Sequence, residues 1–369
     1  MDSSKNRDNN QVIGTRYGWR LKLALGGCAL AIVVVVLGAF TRLADAGLGC
    51  PDWPGCYGHL TWPDESHEIQ AANHAYPDAP VDNNKTWPEM VHRYFAGTLL
   101  LLVIFLVYLS WNRSKQRTYK HTLSLMALII MQAAFGMWTV TLKLWPQVVT
   151  AHLLGGMATL SILWLLTERM RHGEDPAQNR KYQTLHKLLP LAILTALTIA
   201  LQIALGGWTS SNYAALACPD FPTCHGQWLP QADFEAGFNI FQKIGPNYLG
   251  GALESDARTA IHLSHRFGAL LVTVMVLTLS FLTWRAGSRR WAIVLSTLIA
   301  LQVGLGIANI VMFLPLPIAV AHNAGAALLL LGTITFCYRI YSAKPIEISE
   351  NIYKTNNKPN KPILTGNMW

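Results

Sequence analysis

Cys50-Pro51-Asp52-Trp53-Pro54-Gly55-Cys56 returns, nearly letter for letter, as Cys218-Pro219-Asp220-Phe221-Pro222-Thr223-Cys224. Other marks return with it. His92-Arg93-Tyr94-Phe95 is echoed by His265-Arg266-Phe267-Gly268, Gln132-x-x-x-Gly136 by Gln302-x-x-x-Gly306, and Ala151-His152 by Ala321-His322. The offsets are 168, 173, 170 and 170 residues. A repeat of this length fixes the architecture before any single motif is weighed, because each copy must fold as the same unit. It also picks out the polar residues present in both copies of an apolar chain, above all four histidines and four cysteines.

The setting is a membrane. The chain is 51% hydrophobic and 13% charged, with a mean hydropathy of +0.27, whereas average soluble domains carry about 25% charge. Eight apolar stretches approach the roughly 20 residues of a crossing helix. They lie near 23–40, 94–111, 122–142, 148–166, 188–208, 267–284, 291–313 and 318–338. The expected fold is therefore an all-α polytopic membrane protein, eight transmembrane helices in two tandem four-helix bundles. The net charge of +9 is explained by where it sits. The N-terminus, the loops at 112–120, 167–187 and 285–290, and the C-terminus hold 22 of the 29 Lys and Arg. All fall on one side if the spans alternate, and the positive-inside rule makes that side, with both termini, cytoplasmic. Scattered over short loops, they form no footprint for nucleic acid. The long loops, about 41–91 and 209–261, then face outward. The polar first twenty residues, with Asp2 and Asp8, read neither as a cleaved signal nor as a transit peptide. The first span is expected to be an uncleaved anchor, and the chain a multi-pass protein of a bacterial inner membrane.

Four helices return the chain to the side it started from, so the two copies share one orientation. They should be related by a pseudo-two-fold axis along the membrane normal. The expected division is a cytoplasmic tail (1–22), an N-terminal four-helix half (23–175), a C-terminal four-helix half (176–341) and a disordered cytoplasmic tail (342–369). The hinge is the loop around 168–187. His92, His152, His265 and His322 each fall at or just inside the outer end of the second, fourth, sixth or eighth span. Each half thus offers two imidazoles from two different helices at similar depth. That is what bis-histidine ligation of a haem needs, with a porphyrin between the helices and one axial nitrogen from each. A single histidine of this kind is as well read as a packing residue. Four of them, paired and duplicated where polar groups are costly, point to function. Small residues beside these helices, such as Gly136, Gly155, Gly268, Gly306 and Gly325, would admit a flat macrocycle.

Arg93 and Arg266 follow two of the histidines directly. They suit haem propionates, which a planar guanidinium can grip with two hydrogen bonds, and they equally suit interfacial snorkelling. Cys50 with Cys56, and Cys218 with Cys224, lie in the outward loops, where an oxidising compartment favours disulfides. Each pair reads as a structural staple, as a redox-active thiol pair, or, less well, as part of a zinc site with His59 or His225. The copies differ at one place. Three residues before His92 stands Glu89, and three before His265 stands His262. A carboxylate one turn from a haem ligand can accept a proton or stabilise charge, or it can cap the start of its helix. Only the first half has it, which suggests chemistry in one half and a resident cofactor in the other.

On these residues the chain resembles the haem A synthase family. The resemblance covers about 20–341 and rests on Thr41-Arg42-Leu43-Ala44-Asp45-Ala46-Gly47-Leu48 leading into Cys50-Pro51-Asp52-Trp53-Pro54, on Glu89-x-x-His92-Arg93, on His152, on His265-Arg266 and on His322. It implies oxidation of the C8 methyl group of haem o to a formyl group, giving haem a for cytochrome c oxidase. It implies haem b as cofactor between His265 and His322, the substrate haem between His92 and His152, and Glu89 as the essential residue nearby. It makes haem O synthase the expected partner and is compatible with a homo-oligomer. The electron donor or acceptor is not named by any residue. The competing reading is a dihaem b-type membrane cytochrome that only transfers electrons; it accounts for four histidines but not for the Glu89/His262 difference. A transporter would show helices interrupted at mid-membrane, and these spans are uninterrupted.

Overall fold

A computed structural model describes residues 3–111, 117–171, 182–244 and 246–343. The tail expected to be disordered, from 344 onward, and most of the expected hinge loop lie outside the described residues. Among the described residues ten α-helices follow one another: α1 Ser3–Leu43, α2 Ser66–Ala75, α3 Asn83–Trp111, α4 Arg117–Thr141, α5 Pro146–Arg171, α6 Leu189–Ser211, α7 Phe234–Gly237, α8 Ser255–Arg285, α9 Arg289–Val311 and α10 Leu316–Ser342. Eight of these are long and apolar enough to cross a membrane; α2 and α7 are the short exceptions. The expected all-α membrane fold with eight spans is the one observed, and the described residues contain no named strand.

The long helices outrun their apolar stretches. α3 begins at Asn83 and α8 at Ser255, each more than ten residues before the apolar run, because polar turns that pack inside the protein carry no hydropathy signal. The consequence is local and important: Glu89, His92 and Arg93 lie inside a continuous helix, not at its start. α1 is likewise helical from Ser3, although its membrane-length part is Gly18–Leu43.

Packing repeats as the sequence does. α1, α3, α4 and α5 form a closed ring of neighbours, α1 on α3, α3 on α4, α4 on α5 and α5 on α1. α6, α8, α9 and α10 form the same ring, and the two rings meet through α5 on α6, α1 on α10 and α5 on α10. Helix ends repeat too. Asp45 and Tyr213, Tyr57 and His225, Lys143 and Phe313, and Leu144 and Leu314 all have positive φ, a conformation uncommon outside glycine and held only where surrounding contacts enforce it. The core is one apolar cluster that runs through both rings, with Val103, Leu163 and Leu166 on one side and Val276, Leu295 and Phe336 on the other. Outward-facing Leu101, Ile130, Leu201, Leu270 and Phe281 are exposed, as side chains must be where lipid replaces water. Hydroxyls inside the spans bond to their own helix or a neighbour, as Thr159 does to the Gly155 carbonyl at 2.8 Å and Ser280 to that of Ala292 on α9 at 2.7 Å. Lipid offers them no other partner.

Polar ties join the rings at both ends. At one end Arg42 donates to the Ser210 carbonyl and stacks over the Tyr213 ring, whose hydroxyl donates to Asp45 at 2.7 Å. At the other, Trp164 Nε1 donates to Thr335 at 2.7 Å, and Arg339 Nε lies 3.3 Å from the fully buried Glu168 carboxylate. Arg339→Met removes one counter-charge from that carboxylate and leaves Arg171 at 3.5 Å, and is expected to cost about 3 kcal/mol, the lower end for breaking a buried pair. Thermal unfolding of the purified protein checks it, with bound pigment expected to stay as in the wild type below the transition.

Candidate functional site

The two cysteine loops are folded from the same local parts. Cys50–Cys56 and Cys218–Cys224 are disulfides, with S–S distances of 2.03 and 2.02 Å, so the described structure has neither as a free thiol pair nor as zinc ligands. Within each loop an aspartate closes the turn. Asp52 accepts from the amides of Tyr57 and Gly58 at 2.6 and 2.7 Å, and Asp220 from those of His225 and Gly226 at 2.6 and 3.0 Å. The Thr223 hydroxyl, followed by those amides, draws the Asp220 carboxyl down to about 2, as hydrogen bonds to a charged form do. Gly58 and Gly226 follow at φ 79° and 72°, which a glycine adopts without steric cost.

Each loop is then fastened to the helix behind it by an arginine and by the residue four places before it. Arg93 donates to the carbonyls of Asp52, Pro54 and Gly55, and Arg266 to those of Cys218, Asp220, Pro222 and Thr223. Both guanidinium groups therefore bind loop backbone. The amide of Cys50 donates to Glu89 Oε2 at 2.9 Å, and the amide of Cys218 to His262 Nδ1 at 3.2 Å. Glu89 and His262 thus occupy the same seat. Only Glu89 is ion-paired there, with Arg93, and it is 4% exposed. It lies six residues beyond the first residue of α3, too far in to be a helix cap. Gly49 permits this closeness: a Cβ there would overlap the Lys85 carbonyl of α3.

His92 of α3 lies near His152 of α5, and His265 of α8 near His322 of α10. Each ring lies against a glycine of the adjacent helix: His92 against Gly38, His152 against Gly136, His265 against Gly206 and His322 against Gly306. The sequence reading missed Gly38 and Gly206, although the cysteine offset of 168 relates them. Gly155, Gly268 and Gly325 make room for glutamine side chains instead. The buried Nδ1 atoms of His92, His152 and His322 have no protein partner, unusual for buried polar groups unless a ligand or water completes them. Among the described residues, no three His, Cys, Asp or Glu converge as a metal cluster. Paired imidazoles, apposed glycines and unpartnered ring nitrogens fit a haem-type group held by two axial ligands per half.

Relatives carry a name that matches this arrangement. A family model described as COX15-CtaA, cytochrome oxidase assembly protein, matches residues 22–334. The chain is 44% identical over 324 residues to the heme A synthase of Shewanella oneidensis, covering 88% of this chain and 96% of that one. It is 28% identical to that of Maricaulis maris, over 86% and 93% of the two chains. It is 26% identical to that of Nitrosospira multiformis, over 82% and 88%. With its eight spans, its two disulfide loops and its two histidine pairs, the chain belongs to the COX15-CtaA family, that of the haem A synthases.

Proposed function

We propose that this protein is a haem A synthase of a bacterial inner membrane, with both termini cytoplasmic. It oxidises the C8 methyl group of haem o to the formyl group of haem a, for use by cytochrome c oxidase. The observation that carries the division of labour is the shared seat of Glu89 and His262. The two halves are alike in helices, loops, arginines and histidine pairs, and differ where a carboxylate stands one turn from His92. The first half is then the substrate half, with haem o between His92 and His152. The second holds resident haem b between His265 and His322.

The conversion of methyl to formyl is a four-electron oxidation: counted with water as the oxygen source, the methyl group and water give the formyl group, four protons and four electrons, which pass to an acceptor. Iron porphyrins, when bound, would supply the electron-transfer chemistry. The chain's own residues bind, orient and manage protons. His92 and His152 would hold the substrate haem between α3 and α5. Glu89, tied to the Cys50 amide and to Arg93, offers a negative charge and a proton acceptor one turn from His92. The first disulfide loop, which Glu89 and Arg93 hold down, closes the helix ends above it. Haem O synthase is the expected supplier of substrate.

Haem extracted after co-expression with a source of haem o decides between this and an electron-transfer cytochrome. A formyl haem is expected; its absence from a folded, haem-loaded protein overturns the reading. Topology has its own test. All four loop cysteines are at most 1% exposed, so an impermeant maleimide should label them only after reduction, and only from the outer side. Labelling solely from the cytoplasm would reverse the orientation and remove the oxidising compartment.

A further inference from the structure

Three of the four paired histidines lie beside a glutamine–glycine pair, and the fourth does not. Gln132 of α4 reaches across to Gly155, one turn beyond His152; Gln202 of α6 to Gly268, one turn beyond His265; and Gln302 of α9 to Gly325, one turn beyond His322. A Cβ at any of these glycines would run into the glutamine amide. The glycine is what lets the amide lie against the neighbouring helix. Gln202 Nε2 sits 3.0 Å from His265 Nδ1 and donates to the His265 carbonyl at 2.9 Å. Gln302 Nε2 sits 3.3 Å from His322 Nε2. At the fourth place the offset that relates Gly38 to Gly206 puts Val34 where Gln202 stands. The histidine offset puts Phe95 where Gly268 stands. The His92 ring meets the backbone carbonyl of Val34 instead of a side-chain amide, and its Nδ1 has no partner.

We propose that Gln202 and Gln302 are positioning residues that hold the second pair of imidazoles, and that the first pair is the exchangeable one, with Val34 and Phe95 leaving His92 without even a neighbouring glutamine. This rests on the reading of the halves given above. An imidazole that ligates iron needs one bare nitrogen, and a hydrogen bond at the other fixes its tautomer and the plane of its ring. A glutamine amide can supply either side of that bond, since half a turn exchanges its donor and acceptor. The Oε1 atoms of Gln202 and Gln302 are buried and unpartnered; in Gln202 the turn gives up the 2.9 Å bond to the His265 carbonyl in exchange for one to the ring. A resident cofactor benefits from two clamped ligands. A half that admits one haem and releases another must open a ligand in every cycle. There Gln132 lies against Gly155 without a bond from its Nε2, His152 Nδ1 is unpartnered, and the other glutamine is absent.

The test uses the purified full-length protein and three readouts: the midpoint potential of each haem, its low-spin electron paramagnetic resonance signal, and the rate of haem transfer to apomyoglobin. Gln202→Leu fills similar space without an amide. It is expected to move the potential and signal of the second-half haem and to speed its transfer roughly 10–100-fold, the range for losing a hydrogen bond behind a metal-bound histidine. Val34→Gln with Phe95→Gly installs the missing pair and should slow transfer of the first-half haem by a similar factor. Unchanged potential and transfer in Gln202→Leu overturn the clamp. If that variant does not fold, unchanged transfer in Val34→Gln/Phe95→Gly overturns it. The haem that His265→Ala removes identifies the half. If that haem is the substrate and Gln202→Leu still perturbs it, the reading of the halves fails and the clamp stands.

Discussion

Haem a should vanish from the products of a Glu89→Ala protein while its second-half haem stays in place. Glu89 lies one turn before His92 and is the only one of the two equivalent residues, Glu89 and His262, that carries a formal negative charge. Removing a positioned acid–base group costs about 10²–10⁴-fold in rate, enough to bring the yield of haem a to background. Alanine does two things at once, however. It removes the charge, and it releases the Cys50 amide, which Glu89 Oε2 accepts at 2.9 Å. Glu89→Gln separates these, since its amide oxygen can still take that hydrogen bond. If the charge matters, both variants lose haem a. If Glu89 only anchors the loop, Glu89→Gln keeps near-normal yield. A stable Glu89→Ala protein, loaded with substrate and producing haem a normally, would sink the catalytic reading altogether. Haem content and product must be measured on the same preparation.

Resident haem should be lost from His265→Ala and His322→Ala far more completely than from His92→Ala and His152→Ala. An axial ligand matters more than the hydrogen bond behind it, so the loss should exceed the roughly 10–100-fold that such a bond contributes. The visible spectrum of the purified protein should lose its low-spin b-type bands in the first two variants and keep them in the last two. Size-exclusion profiles control for folding, because each imidazole packs against a glycine and its removal leaves a void in the bundle. Equal loss from all four variants would remove the assignment of cofactor and substrate to separate halves, while leaving the family membership untouched.

Much of this was legible in the chain. Apolar length alone gives eight spans, because lipid demands that every span satisfy its backbone within itself. The repeat gives two like halves, and like spacing gives the histidine pairs: two residues duplicated at one offset must sit in equivalent places. The difference between Glu89 and His262 also needs only the aligned copies. Gly38 and Gly206 are legible too, since the cysteine offset of 168 relates them.

Other features could not be read linearly, for a common reason. Hydropathy reports what faces lipid, and it is silent on polar turns that pack against protein. α3 and α8 therefore start more than ten residues earlier than the apolar count allowed, and Glu89 moves from a helix end into the helix body. The choice among staple, redox pair and zinc site for the cysteines depends on distances that only folding creates, as does the finding that Arg93 and Arg266 spend their donors on loop carbonyls. Gln202 is the clearest case. In the sequence Gln202-x-x-x-Gly206 repeats the spacing of Gln132-x-x-x-Gly136 and Gln302-x-x-x-Gly306 inside an apolar span, and nothing there says what the glutamine touches. Only the approach of α8, with Gly268 beneath the amide and the His265 ring at 3.0 Å, makes it part of a site. Periodicity and spacing determine which residues are equivalent; contact between helices distant in the chain determines what each equivalent residue touches.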